Sequence, residues 1–312
     1  MSRFRRELAV GAALVVLLVV VSITAPRFFA PATLVNLGVD NAKILICAIG
    51  MMAVILTGNI DLSVGSVLAV CAYLGGLAVK SGLPPVLLLF LVPVVGALLG
   101  ALNGWLVVRA QIPAIIATLA TMVGLRGALQ WATQGRWVLD LPPGYQWLGL
   151  GQETGQILII IAALVVFAVA VYVFGWVAGG RALYAVGADE EAARLVGLRP
   201  PQVYFWSFVA LGALTGLAAC LDAFRFRDVP SSGGLGLELQ VIACVVVGGT
   251  SINGGRGSLW GTLIGVALLG VIGTVLTFQG INAAWAKAIQ GLIILLAVTA
   301  DGQWRRGGRV DG

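Results

Sequence analysis

The chain contains no histidine. That removes His-based metal sites, imidazole proton relays and any nucleophile that depends on a histidine base. Charge is scarce too: Asp, Glu, Lys and Arg make up 10% of 312 residues, against roughly a quarter in soluble domains. Cysteine is confined to Cys47, Cys71, Cys220 and Cys244, each inside an apolar run and none in a C-x-x-C pair. These four read as small buried hydrophobes rather than a disulfide or metal framework. No G-x-x-x-x-G-K-[ST] sequence occurs, so no P-loop binds ATP in this chain.

What is present is apolar. Hydrophobic residues reach 60% and the mean hydropathy is +1.02. A water-soluble fold of this size has too few charges to coat that much apolar surface, and disorder requires the opposite composition. The chain belongs in a bilayer. Its net charge of +6 then reads as Lys and Arg gathered on the cytoplasmic side rather than as a nucleic-acid footprint.

The few charges punctuate the apolar runs. The intervals Glu7–Arg27, Lys43–Asp61, Asp61–Lys80, Lys80–Arg109, Glu153–Arg181, Arg199–Asp222, Glu238–Arg256 and Arg256–Lys287 each have room for one helix of the ~20 residues a span needs. Two further spans tolerate an internal cation: 112–134 through Arg126, and 283–300 through Lys287. The expectation is an all-α polytopic membrane protein of about ten transmembrane helices, forming a single transmembrane domain over residues 1–312. Arg3, Arg5 and Arg6 before an apolar run resemble a signal peptide, but the run is long enough to cross, and an uncleaved first helix fits better. With both termini inside, the inner face collects Arg3, Arg5, Arg6, Arg109, Arg181, Arg194, Arg199, Arg256, Arg305, Arg306 and Arg309. The outer face holds only Arg27, Lys43, Lys80, Arg136, Arg225 and Arg227, so the positive-inside rule places both termini in the cytoplasm.

Two glycine-bracketed breaks interrupt this pattern. The first, Gly58-Asn59-Ile60-Asp61-Leu62-Ser63-Val64-Gly65-Ser66, has two readings. It is a short cytoplasmic loop with Asp61 or Ser63 capping the next helix, or a broken helix whose polar groups line a cavity. The second runs from Gly248 to Ser258. Cys47 and Cys244 share their spacing with Gly58 and Gly255, a hint of a repeated unit as in many transporters. Gly96, Gly100 and Gly104, and again Gly261 and Gly265, form small-residue ridges suited to close helix packing. Arg126 and Lys287 must face protein or water at bilayer depth. Lys287 is near enough to a helix end to snorkel, and Arg126 has Asp222 or Glu238 as structural partners or a solute as an alternative.

The 180–201 loop carries the most local detail. Asp189 is placed to cap a short helix, with Glu190 and Glu191 at its positive end. Gly197 suits the left-handed exit and Pro200-Pro201 forbids continuation. Ala192 and Ala193 leave one face nearly bare, with Glu190, Glu191 and Arg194 at its edges. Such a ridge fits a partner's groove; the alternative is an ordinary loop helix.

These residues also carry a resemblance. Glu191-Ala192-Ala193 followed by Gly197 resembles the E-A-A-x-x-x-G loop of ABC-importer permeases, whose coupling helix docks on the ATPase. Gly58–Ser66 is similar to a segment of the ribose-type sugar permeases. So are Asn103-Gly104, Ile112–Leu119 with Arg126-Gly127, Gly180-Arg181 with Tyr184–Gly187, and Gly248-Gly249 through Gly254-Gly255. The motifs run in collinear order over about residues 30–300. There are departures: Asn59 stands where the family has a second glycine, and Gln290 where it commonly has lysine, with Lys287 three residues earlier.

The resemblance implies a non-catalytic permease without cofactor, working as a homo- or heterodimeric pair in the inner membrane. Implied partners are a cytosolic ATP-binding subunit and a periplasmic solute-binding protein, with a monosaccharide-like cargo of the ribose, rhamnose or autoinducer-2 class. Asp189, Glu190, Glu191, Ala192, Ala193, Arg194 and Gly197 are then the expected ATPase-coupling residues. Asn59, Asp61, Ser63 and Arg126 are the expected solute-path residues. A secondary transporter would instead rely on an intramembrane carboxylate, for which Asp61 is the clear interior candidate. An intramembrane enzyme lacks paired carboxylates and metal-spaced ligands.

Overall fold

The computed structural model describes residues 2–280 together with 285, 288, 291 and 292. Most of the expected span 283–300 falls outside the described residues, and so does Lys287. The elements are α1 (Ser2–Thr24), α2 (Pro31–Leu56), α3 (Val64–Lys80), α4 (Leu88–Val108), α5 (Ala114–Thr133), α6 (Gln152–Trp176), α7 (Ala178–Ala188), α8 (Glu190–Leu195), α9 (Pro200–Ala223), α10 (Leu237–Val247) and α11 (Leu259–Phe278), with short 3-10 turns between some of them. Among the described residues the extended pairing is one isolated bridge, Val138 to Val229. The all-α polytopic class expected from sequence is borne out.

Among the described residues seven helices are long and apolar enough to cross a membrane: α1, α2, α4, α5, α6, α9 and α11. The helix α3 has 17 residues and α10 only 11. At 1.5 Å per residue α10 is ~16 Å long, about half of a ~30 Å hydrocarbon layer. The interval between Glu238 and Arg256 therefore holds a half-span, not a full crossing. An apolar run between charges reports hydrophobicity and gives no sign of where the helix inside it starts.

The centre of the bundle is α2. From Ile44 to Leu56 every residue of it is buried, enclosed by α9, α6, α11 and α10. In lipid such packing comes from close contact rather than water exclusion, and the glycine ridges supply it. A Cβ on Gly96 would lie 2.1 Å from the Gly212 carbonyl oxygen, and one on Gly100 2.2 Å from that of Phe208, so α4 and α9 meet backbone to backbone. Gly261 and Gly265 do the same for α11, against the carbonyls of Gly248 and Cys244 at the end of α10. The four cysteines are buried as free thiols. By contrast α1 lies against α11 at the edge, with Val21 and Phe28 packed on Val271 and Val275.

One face carries the α7–α8 loop; the opposite face carries the segments around 134–151 and 224–236. On that far face the start of α2 is tied to the end of α9. Lys43 donates to both Asp222 carboxylate oxygens at 3.0 Å, and Arg225 bridges Asp222 and Asp40. Asp222 is thus committed to Lys43 and Arg225, so it is not the partner of Arg126.

Candidate functional site

The first break follows directly from the end of α2. Gly58 adopts φ +78, which ends the helix, and residues 57–63 run non-helically before α3 starts at Val64. Asp61 is 2% exposed and its carboxylate is fully engaged. Its Oδ1 accepts from the backbone N–H and the Oγ–H of Ser63, both at 2.7 Å. Its Oδ2 accepts from Asn103 Nδ2 at 3.1 Å, and the same amide donates to Ser63 Oγ at 2.8 Å. Thr118 of α5 donates to the Ile60 carbonyl at 3.3 Å. Neither Asp61 nor Ser63 caps α3 through a side-chain bond to its first turn. The carboxylate instead closes a local turn on Ser63 and fastens it to α4. Asn103 lies five residues above the end of α4, ~8 Å along the helix, so the network sits within the span.

Asn59 turns away from this network, donating to Thr57 Oγ1 at 3.0 Å, and stays half-buried. Arg126 lies on the other side of the α3 start. Ser66 donates to the Met122 carbonyl at 2.8 Å, and one turn further along α5 Arg126 Nη1 donates to the Gly233 carbonyl at 2.7 Å. The adjacent Gly234 packs on Gly65, where a Cβ would meet the Gly234 oxygen at 2.2 Å and Glu238 Oε2 at 2.3 Å. The segment before α10 descends from the far face to reach this point. At its top Val229 packs on Gly76 of α3; lower down Gly234 packs on Gly65, eleven helical residues or ~16 Å away. Two non-helical excursions, one from each face, thus meet beside the start of α3. The structure brings together Asp61 and Ser63, adds Asn103, and sets Arg126 on the second excursion. Asn103 was visible in the sequence only as part of a motif; nothing local pairs it with an acid 42 residues away.

The 180–201 loop folds as two short helices, α7 and α8, separated at Asp189. Asp189 breaks the run at φ −159, and its Oδ1 accepts from the Ala192 N–H at 2.9 Å, the N-cap expected of it. Gly197 exits at φ +85, and Pro200 opens α9. Glu190 is less available than expected: it pairs with Arg194 and accepts from the Tyr204 hydroxyl at 2.8 Å, tying α8 to α9. Glu191 is exposed and has no side-chain partner among the described residues. The bare Ala192–Ala193 ridge needs correction. Ala193 is 3% exposed and packs inward, whereas Leu195 and Val196 stand out at 88% and 77% exposed. The outward apolar edge is Ala192, Leu195 and Val196. Large apolar residues on a two-turn helix read as inward-facing, which is why sequence reasoning passed over them.

A family model described as the permease component of a branched-chain amino acid transport system matches residues 33–298. The ribose import permease protein of Haemophilus influenzae is 36% identical over 303 residues, covering 96% of this chain and 94% of that one. The ribose import permease protein of Bacillus subtilis is 36% identical over 290 residues, covering 92% and 90%. The autoinducer 2 import system permease protein of an Enterobacter species is 35% identical over 302 residues, covering 96% and 88%. No solved structure matches the chain. A match across the whole helical bundle, glycine breaks and capped loop included, places this chain in that family of transport-system permease components.

Proposed function

We propose that this permease forms the translocation path of an ATP-driven importer, with α8 seated in the groove of a separate ATP-binding subunit. The observation that carries the reading is the α8 edge. A capped helix holds Ala192, Leu195 and Val196 outward, with Glu191 beside them, where a lone globular loop would turn such residues in. The chain has no P-loop, so in this reading ATP binds to a separate subunit. The excess of Lys and Arg on the α7–α8 side favours that face and both termini lying in the cytoplasm of a bacterial inner membrane. The opposite face then receives a periplasmic solute-binding protein, and a second permease chain, identical or related, completes the path.

The names of the relatives favour a monosaccharide-like solute over the branched-chain amino acids in the family description. Within the path, Asp61, Ser63 and Asn103 are assigned to holding the break in shape, because all three are buried and bonded to one another. Asn59 and Arg126, both half-buried beside the start of α3, are assigned to the solute.

The test is co-purification with the ATP-binding chain encoded in the neighbouring reading frames. A Leu195→Asp, Val196→Asp double variant is expected to insert and elute like the wild type yet lose the ATP-binding chain. Retention of that chain at wild-type stoichiometry contradicts the assignment. Ala193→Asp is unsuitable for this purpose, since it buries a carboxylate and reports stability instead.

A further inference from the structure

Beneath α2 three backbone segments meet without a side chain between them. The Leu56 carbonyl, in the last turn of α2, accepts from the Gly255 N–H at 2.9 Å. Such C-terminal carbonyls lack helical partners, and here the second break supplies one. A Cβ on Gly187, near the end of α7, would lie 1.7 Å from that same oxygen and 2.6 Å from the Gly255 nitrogen. Gly255 sits at φ +71 with its own Cβ position 2.6 Å from Ala188 Cα, and Gly254 crowds both the Leu56 and Gly187 oxygens. Beside α7 opens a cavity of about 700 Å³ lined by Phe174, Arg181, Tyr184, Ala188, Gly255 and Trp260.

We infer that Gly187 and Gly255 are positioning residues for transport, forming with the Leu56 carbonyl a junction through which displacement of α7–α8 enters both helix breaks together. This rests on the ATP-driven reading above. The loop is attached through Glu190 to Tyr204 of α9 and through Gly187 to α2 and the second break, while α7 also packs on α6 through Tyr184 and Phe174. A load on α8 pivots on the first and presses on the second. Contact between backbones leaves no rotamer to absorb the motion, and packed interiors respond by switching rather than by yielding. From Leu56 the displacement passes into residues 57–63 and so to the Asp61–Asn103 tie. From Gly255 it passes to Ser258, whose Oγ caps α11.

The experiment uses the permease with its ATP-binding chain and binding protein in lipid nanodiscs and proteoliposomes. Gly187→Ala is compared with Gly179→Ala on the same helix, where an added Cβ meets nothing within 4 Å. Gly187→Ala should lower uptake about tenfold or more, with co-purification and basal ATP hydrolysis retained, while Gly179→Ala stays within about twofold. Uptake by Gly187→Ala within about twofold of wild type overturns the inference. Because that variant can fail to fold, amide exchange is also followed in the wild-type complex on trapping with ATP and vanadate. Exchange should change together at residues 57–58, 187–188 and 254–255. A change at 187–188 alone, or at none of the three, overturns the inference. If no ATP-binding chain associates with the wild-type protein, the function proposed above fails and this inference with it; the other outcomes leave that function standing.

Discussion

The two breaks differ in what holds them. The first, residues 57–63, is fastened by side chains: one buried carboxylate gathers three hydrogen bonds from Ser63 and Asn103. The second, residues 248–258, contains no acid and is fastened by backbone: Ser251 N–H to the Arg256 carbonyl at 2.8 Å, Gly254 N–H to Ser251, and Gly255 N–H to Leu56. Both lead into a helix of the same bundle, yet only the second is capped conventionally, by Ser258. The difference teaches that a helix break needs its freed backbone groups satisfied, and that either polar side chains or glycine-permitted backbone contacts will do it. Side chains are demanding in partner; backbone contacts are demanding in space.

Two substitution pairs test that contrast. The larger effect is expected at the first break. Asp61→Ala leaves the Ser63 N–H and hydroxyl and one Asn103 N–H buried without their acceptor and should cost about 3 kcal/mol or more. The exposed Asn253→Ala of the second break should stay within about 0.5 kcal/mol. Thermal unfolding of the detergent-solubilised protein measures both, and equal losses would break the contrast. A smaller, reversed difference is expected for glycine. Gly255→Ala meets Ala188 backbone at 2.6 Å and should cost more than about 2 kcal/mol, whereas Gly58→Ala, whose Cβ only touches the Asn253 oxygen at 3.6 Å, should cost about 1 kcal/mol of left-handed strain. A Gly58 variant less stable than the Gly255 variant would show that the second break is not limited by space.

Local signals were legible and long-range pairings were not. Asp189, Gly197 and Pro200 mark the α8 boundaries because capping and left-handed exits depend on residues within one turn. The glycine spacing on α4 and α11 announced close packing, since lipid-embedded helices have few other means of approaching. The half-length of α10 was hidden because Pro230-Ser231-Ser232-Gly233-Gly234 reads as a loop, and nothing in a loop's composition says that it lies at depth within the bilayer. Likewise Arg126 was offered Asp222 and Glu238 as partners: Asp222 belongs to Lys43, Glu238 interacts with Arg126 through charge alone, and the hydrogen bond goes to the Gly233 carbonyl. A backbone acceptor leaves no mark in a sequence. Gly58 and Gly255, noted in the sequence for their spacing, both sit where the breaks touch, with Gly58 beside Asn253 and Gly255 on Leu56.

The central claim is that this permease moves solute only when a partner's ATP cycle drives α8. It is tested most directly by uptake of radiolabelled ribose into proteoliposomes, with and without the ATP-binding chain and the binding protein. Uptake should require ATP and both partners, be indifferent to a proton or sodium gradient, and vanish in the Leu195→Asp, Val196→Asp variant. Concentrative uptake by the permease alone, driven by an ion gradient and lost in Asp61→Asn, would contradict the account and make the buried carboxylate the coupling group.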